Sequence, residues 1–369
     1  MKYKLNQILT KYSEKNTNNY EPVAVGRYGI RKRSDIYKKE LSNDYLKNKV
    51  IFQNVLIIGM GSVQIDVGVL KENLYYSVSP AYHTFKINTS IVLSEYLELL
   101  FLAKNSYYTK LYMIASARQG KKVDVEGLLN EIVEIPNLIK QQEIIDKINK
   151  INKLTRNYEN QLQLLDEIIK SRFVELFLNK NYEYKSLKDL LKSKAEYGAA
   201  SASVPYKNGR PRYVRITDIN DDGTLNNDTV CSINKQDDID YKLEYGDFLF
   251  ARMGATVGKT YAFIEGNEIF AGYLIRYKLD LNKINPRYLF AYTKTNEYNM
   301  WVKNNQSGAA QPGINAKKYD LLPVPVPPIE FQNEFASFVK QVDKLKFIVE
   351  EQLKLMNELL NKKMDEYFS

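Results

Sequence analysis

From Ile144 onward, apolar residues recur in steps of three and four: Ile148, Ile151, Leu154, Tyr158, Leu162, Leu165, Ile169, Phe173 and Leu176. A second stretch runs Phe335, Val339, Val342, Leu345, Val349, Leu353, Met356, Leu360, Met364 and Tyr367. Neither stretch contains proline or glycine, and each is entered just after a proline, Pro136 and Pro328. Such spacing over about five heptads predicts two long helices whose apolar seams pair as a coiled coil. It would also suit two amphipathic helices packed separately on globular cores. A helix of about 40 residues spans roughly 60 Å, which favours the coiled coil.

Between these stretches the pattern changes. Val55 to Ile58 and Phe248 to Phe250 are short apolar runs bounded by glycine, which suits buried strands, whereas Leu93 to Leu102 and Tyr288 to Tyr292 have helical character. The chain also repeats itself. At an offset of 191, Ile135 to Phe177 lies on Val326 to Phe368 without a gap, and twelve of the 43 positions are identical, among them Pro136/Pro327, Gln141/Gln332, Leu154/Leu345, Leu164/Leu355 and Phe177/Phe368. Upstream, Asn54 to Gly61 lies over Asp247 to Gly254, and Tyr82 to Lys86 over Leu274 to Lys278. The period is far too long for a solenoid. The sequence predicts two copies of one unit, each a mixed α/β module followed by a long helix.

Composition narrows the chemistry. With one cysteine, Cys231, and one histidine, His83, the 369-residue chain cannot build an internal disulfide or a conventional Cys/His zinc site. A Ser-His-Asp triad would have only His83 for its base. No apolar run approaches the roughly 20 residues of a membrane-spanning helix. Lys2, Lys4 and Asn6 interrupt the N-terminus, which does not resemble a secretion signal. A soluble cytoplasmic protein is expected. Fifty-three basic against 44 acidic residues give a net charge of +9, a balance suited to a polyanionic partner.

Three apparent catalytic motifs fail on inspection. Gly254 to Thr260 has three residues between its glycines where a phosphate-binding loop needs four, and Tyr261 to Ile264 reads as a strand rather than the required helix. Asn285-Pro286-Arg287-Tyr288 resembles the base-holding loop of amino-methyltransferases, but its third residue is arginine and Leu93-Ser94-Glu95-Tyr96 occupies its place in the other copy; a helix start is the simpler account. Gly59-Met60-Gly61 lacks the third glycine and the ribose-binding acid of a dinucleotide site. No catalytic or metal-ligating residue is therefore assigned.

What remains is basic residues interleaved with aromatics. The first module has Arg27, Tyr28, Arg31, Lys32 and Arg33, then Arg118, Lys121 and Lys122; the second has Lys207, Arg210, Arg212, Tyr213 and Arg215, then Arg252 and Lys259. Lysine and arginine neutralise phosphates, and arginine pairs bidentately with base edges. These fifteen residues are the candidate DNA-binding set.

Together the repeat, Gly246 to Lys259, Gln311 to Asn315 and Leu322 to Gln332 resemble the specificity subunits of Type I restriction-modification enzymes. The first copy departs in having Val123-Asp124 for Ile314-Asn315 and Ile135-Pro136-Asn137 for the double proline. The resemblance implies target-recognition domains at 1–135 and 179–327, separated by long helices at 136–178 and 328–369 that form an antiparallel coiled coil. Each domain would read half of a bipartite double-stranded DNA target. The helices would set the spacer and dock methylation subunits, two of them in the family's pattern. It places S-adenosylmethionine in those subunits and ATP with Mg in restriction subunits, leaving this chain without cofactor or catalysis. A self-contained DNA adenine methyltransferase and a coiled-coil scaffold without DNA binding are the alternatives.

Overall fold

Short apolar runs, buried on both faces at their centre, build the same four-stranded antiparallel sheet twice. The computed structural model describes residues 1–26, 29–36, 45–116, 120–234, 241–307 and 312–368. In the first copy, β1 (Leu9–Tyr12), β2 (Val55–Met60), β3 (Ile65–Val69) and β4 (His83–Ile87) lie in the order β1-β4-β2-β3. In the second, β5 (Glu196–Tyr197), β6 (Asp247–Ala251), β7 (Thr260–Ala262) and β8 (Leu274–Lys278) follow as β5-β8-β6-β7. Register is repeated as well: Leu56 faces Phe85, and 192 residues on, Phe248 faces Tyr277. Outside each sheet a two-stranded ladder ties the start of the domain to its exit, Lys2–Lys4 with Ile132–Glu134 and Tyr184–Ser186 with Pro323–Pro325.

Four of the helices that pack on these sheets position the domain surfaces. They are α1 (Ser94–Ala103), α2 (Leu138–Phe173), α3 (Pro286–Tyr292) and α4 (Ile329–Phe368). After Phe173, α2 continues as a wider turn, Val174–Leu178. Two compact units result, and each takes part of both long helices. The first comprises 1–158 with 352–369, the second 159–351.

In the first unit, Ile144 and Ile148 near the start of α2 share a core with Leu56, Phe85, Tyr96 and Phe368, the last from the final turn of α4. In the second, Phe173 and Phe177 join Phe248, Tyr277, Tyr288 and Phe335 from the start of α4. Within each unit, then, the beginning of one long helix lies beside the end of the other, an antiparallel arrangement. The ring centroids of Phe173 and Phe335 are 5.5 Å apart, and those of Phe368 and Tyr96 5.2 Å.

The seams differ from expectation at one place in each helix. Leu154 is 38% exposed and Leu345 52%. Their successors Thr155 and Lys346, equivalent to each other under the repeat, are the less exposed residues instead. The reason is phase. A heptad seam alternates steps of three and four, and Ile148 to Ile151 has already used the three. Leu154 therefore rotates off the seam, as Leu345 does after Val339 and Val342. The other predicted seam positions, Ile144, Ile148, Ile151, Tyr158, Leu162, Leu165 and Ile169 on α2 and Phe335, Val339, Val342, Val349, Leu353, Met356 and Leu360 on α4, are buried or half-buried.

Lys346 keeps its charge through Asp166, whose carboxylate lies 2.7 Å from Nζ. Burial pulls the ammonium down, but the bond and charge of Asp166 outweigh it and leave the lysine above its ordinary value.

Candidate nucleic-acid interface

Two buried glutamines fix how each domain meets its exit helix. Gln141, in the first turn of α2, donates Nε2 to the carbonyls of Ile91 and Pro136 and accepts the Leu93 amide at 2.7 Å. Gln332, in the first turn of α4, donates to Lys283 and Pro327 and accepts the Asn285 amide at 2.9 Å. Both side chains are fully buried. Each ties the segment entering α1 or α3 to the start of the long helix, so a domain's surface is held in a set orientation to its helix. The identity of the pair in the repeat was the available signal for this role.

The first unit's basic candidates lie on two hairpins. Arg31 and Lys32 are exposed on the hairpin Val23–Gly26/Gly29–Lys32, and Arg33 opens a single 3-10 turn after it. Lys32 pairs with Glu21 at 3.1 Å. Lys121 and Lys122 are exposed on the hairpin Met113–Ala115/Lys121–Val123. Arg27, Tyr28 and Arg118 lie outside the described residues.

The second unit sorts its candidates more sharply. Tyr213 is only 4% exposed and belongs to the core; its hydroxyl donates to the carbonyls of Ala199 (2.7 Å) and Ser201 (3.1 Å). It is therefore corrected from surface aromatic to structural residue, because it packs in a core with Ala199, Cys231 and Ile269. Arg215 grips Asp218 through Nε at 3.0 Å and Nη2 at 2.7 Å and also donates to Thr229. Arg212 donates to the Asn227 side chain and the Asn226 carbonyl. Lys259 pairs with Asp221 at 2.8 Å and donates to the Ile219 carbonyl. All three cations bind the excursion between Ile216 and Thr229, so they have structural partners that composition could not reveal. Lys207 is exposed and Arg210 half-buried, on a turn closed by the Arg210 amide and the Lys207 carbonyl.

Arg252 stands apart. It follows β6, level with Tyr273 at the start of β8, and Tyr197 ends β5; three strands thus bring these side chains to one end of the sheet. The guanidinium carbon lies 5.0 Å from the Tyr197 ring centroid and 5.7 Å from that of Tyr273. Nε donates to the Gly272 carbonyl at 3.2 Å. Both tyrosines are exposed. Sequence reasoning passed over them.

The rejected motifs have structural explanations. Gly254–Thr256 is a single 3-10 turn followed by β7, and no helix receives it. Asn285 caps α3, its Oδ1 accepting the amides of Arg287 and Tyr288, with Pro286 in the first turn. Arg287 reaches Asp343 on α4 at 2.6 Å. His83 is half-buried on β4 opposite Ile58. No helix among the described residues is long and apolar enough to cross a membrane.

Comparison with known proteins agrees with this architecture. Residues 179–359 match the Type I restriction modification DNA specificity domain. The EcoDI specificity subunit of a Type I restriction enzyme from Escherichia coli is 36% identical over 61 residues, 16% of this chain and 14% of that protein. The match thus spans about a seventh of that relative's length. A chain from a structure on complex assembly and conformational transition of the Type I R-M system is similar in fold, with a TM-score of 0.60 and 15% identity over 100% of this chain and 97% of that one. The S subunit of a Type I restriction-modification system from M. genitalium gives a TM-score of 0.57 at 11% identity, over 99% and 95%.

Proposed function

We propose that this chain belongs to the family of Type I restriction-modification specificity subunits, whose DNA specificity domain its residues 179–359 match, and that it is a sequence-specific DNA-binding subunit whose two domains each read half of a bipartite target. The observation that carries this reading is the duplication itself: one sheet, one register and one glutamine clamp, each made twice and each joined to a long helix. Duplication of a reading head is what a split target requires, and different surface residues on the two heads let the halves differ in sequence.

As a specificity subunit it selects where chemistry occurs and performs none. Adenine methylation belongs to partner methylation subunits carrying S-adenosylmethionine, and cleavage to restriction subunits using ATP and Mg. The side chain of Asn285, committed to capping α3, argues against a self-contained methyltransferase at that segment. The helices set the spacer, and their outward leucines offer two equivalent docking positions. Leu154 with Leu355 lies in the first unit, and Leu345 with Leu164 in the second; all four are exposed. Apolar residues repeated at exposed, equivalent sites suit two copies of one partner. The complex is expected to work in the cytoplasm.

The test is to express the chain with a methylation subunit in a host lacking other adenine methylation and to map modified adenines across the genome. A split motif with a fixed gap supports the reading. Unsplit or absent methylation despite an assembled complex contradicts it.

A further inference from the structure

We propose that Arg252 is the base-reading residue of the second domain and that it selects guanine at one position of its half-site. The inference rests on the DNA-reading function above and assigns a specific role within it. Recognising guanine in the major groove takes a guanidinium that presents two parallel N–H donors to O6 and N7. The side chain must be ordered before contact, because an arginine that freezes only on binding loses affinity to entropy. Arg252 meets both requirements. Tyr197 and Tyr273 hold its plane through cation–π contact at 5.0 and 5.7 Å, and the Gly272 carbonyl takes Nε.

Its partners among the described residues are thus two rings and a carbonyl, and no carboxylate neutralises it. That separates it from Arg215 and Lys259, which are paired to Asp218 and Asp221, and from Arg212, tied to Asn226 and Asn227.

The other domain supplies an internal comparison. Met60, two residues after Ile58, takes the place of Arg252, two residues after Phe250, because Ile58 faces His83 as Phe250 faces Ile275. The first domain therefore carries a methionine at the point of its sheet where the second carries an arginine. Two heads of one design differ where one carries a rigid guanidinium, as heads reading different sequences should.

The experiment uses the full chain assembled with its methylation subunits and a DNA library randomised across both half-sites. Wild-type protein should enrich a guanine at a position in one half that Arg252→Ala leaves unspecified, with discrimination there falling roughly 10- to 100-fold. Preferences in the other half, and at the remaining positions of the same half, should stay unchanged; the latter show that the second domain is folded. Tyr273→Leu keeps the arginine but removes one wall, and should weaken selection at that same position to a smaller degree. If Arg252→Ala lowers binding to all sequences alike, with base preferences intact, Arg252 contacts phosphate and the proposal is overturned while DNA reading stands. If the wild-type complex enriches no sequence, the specificity function fails, and this assignment with it.

Discussion

Gln141 and Gln332 each satisfy three backbone groups that leucine would leave stranded in the interior. Losing those bonds outweighs any gain from an added apolar contact, since each buried group left without a partner costs about 1–3 kcal/mol. Gln332→Leu should destabilise the second unit by about 3 kcal/mol, and Gln141→Leu the first by a similar amount, as measured by urea unfolding. Each loss should appear in the unit that carries the substitution. His83 makes a second prediction at this scale. Burial, together with the charges of Lys49 and Lys11, lowers its pKa below the ordinary histidine value. The unfolded chain therefore binds a proton that the folded chain resists, so stability falls as pH drops through about 6.5 toward the lowered value. His83→Gln should remove this part of the slope. Denaturant unfolding between about pH 7.5 and pH 5 should show the wild type losing more stability than the variant, and parallel curves would refute the linkage.

Each long helix carries one polar interruption in an otherwise apolar seam, and Lys346 is the more consequential of the two. A lysine at such a position lowers stability while specifying register. Lys346→Leu should raise stability by about 1 kcal/mol in chemical unfolding, because its partner Asp166 is half-exposed and readily rehydrated. The outward leucines act differently. Leu154→Asp with Leu355→Asp should leave the fold intact and remove one methylation subunit, reducing the mass of the assembled complex by one copy. Most of this level was legible in the sequence: the helices, the central strands and the duplication all follow from apolar periodicity and the offset. The exchange of Leu154 for Thr155 was not, because hydrophobicity favoured the leucine and only the alternation of threes and fours opposed it. The Arg252 cluster was harder still. Tyr197 and Tyr273 are two of 29 tyrosines, and they meet Arg252 only once three strands distant in sequence have paired.

At the scale of the whole molecule, helix length is the proposed ruler. Inserting seven residues in each long helix, near Tyr158 and Val349, preserves the heptad faces and adds roughly 10 Å to each. DNA advances about 3.4 Å per base pair, so the preferred gap between half-sites should grow by about three base pairs. Binding should also weaken, because the added turn rotates one half-site by roughly 100°. Methylation of a library with varied gaps is the readout, and an unchanged preference in an active complex would remove the helices from that role. The closing of the cores places another demand on the same helices. α2 begins against one domain and ends by inserting Phe173 and Phe177 into the core of the other, while α4 begins against the second and ends by inserting Phe368 into the first. Each domain is thus a socket whose plug is made elsewhere in the chain. Shuffling of recognition domains between related genes must respect that fit. A foreign domain replacing residues 179–327 arrives with a new socket but inherits the resident Phe173 and Phe177. The exchanges that succeed should be those in which plug and socket match, whatever sequence the incoming domain reads.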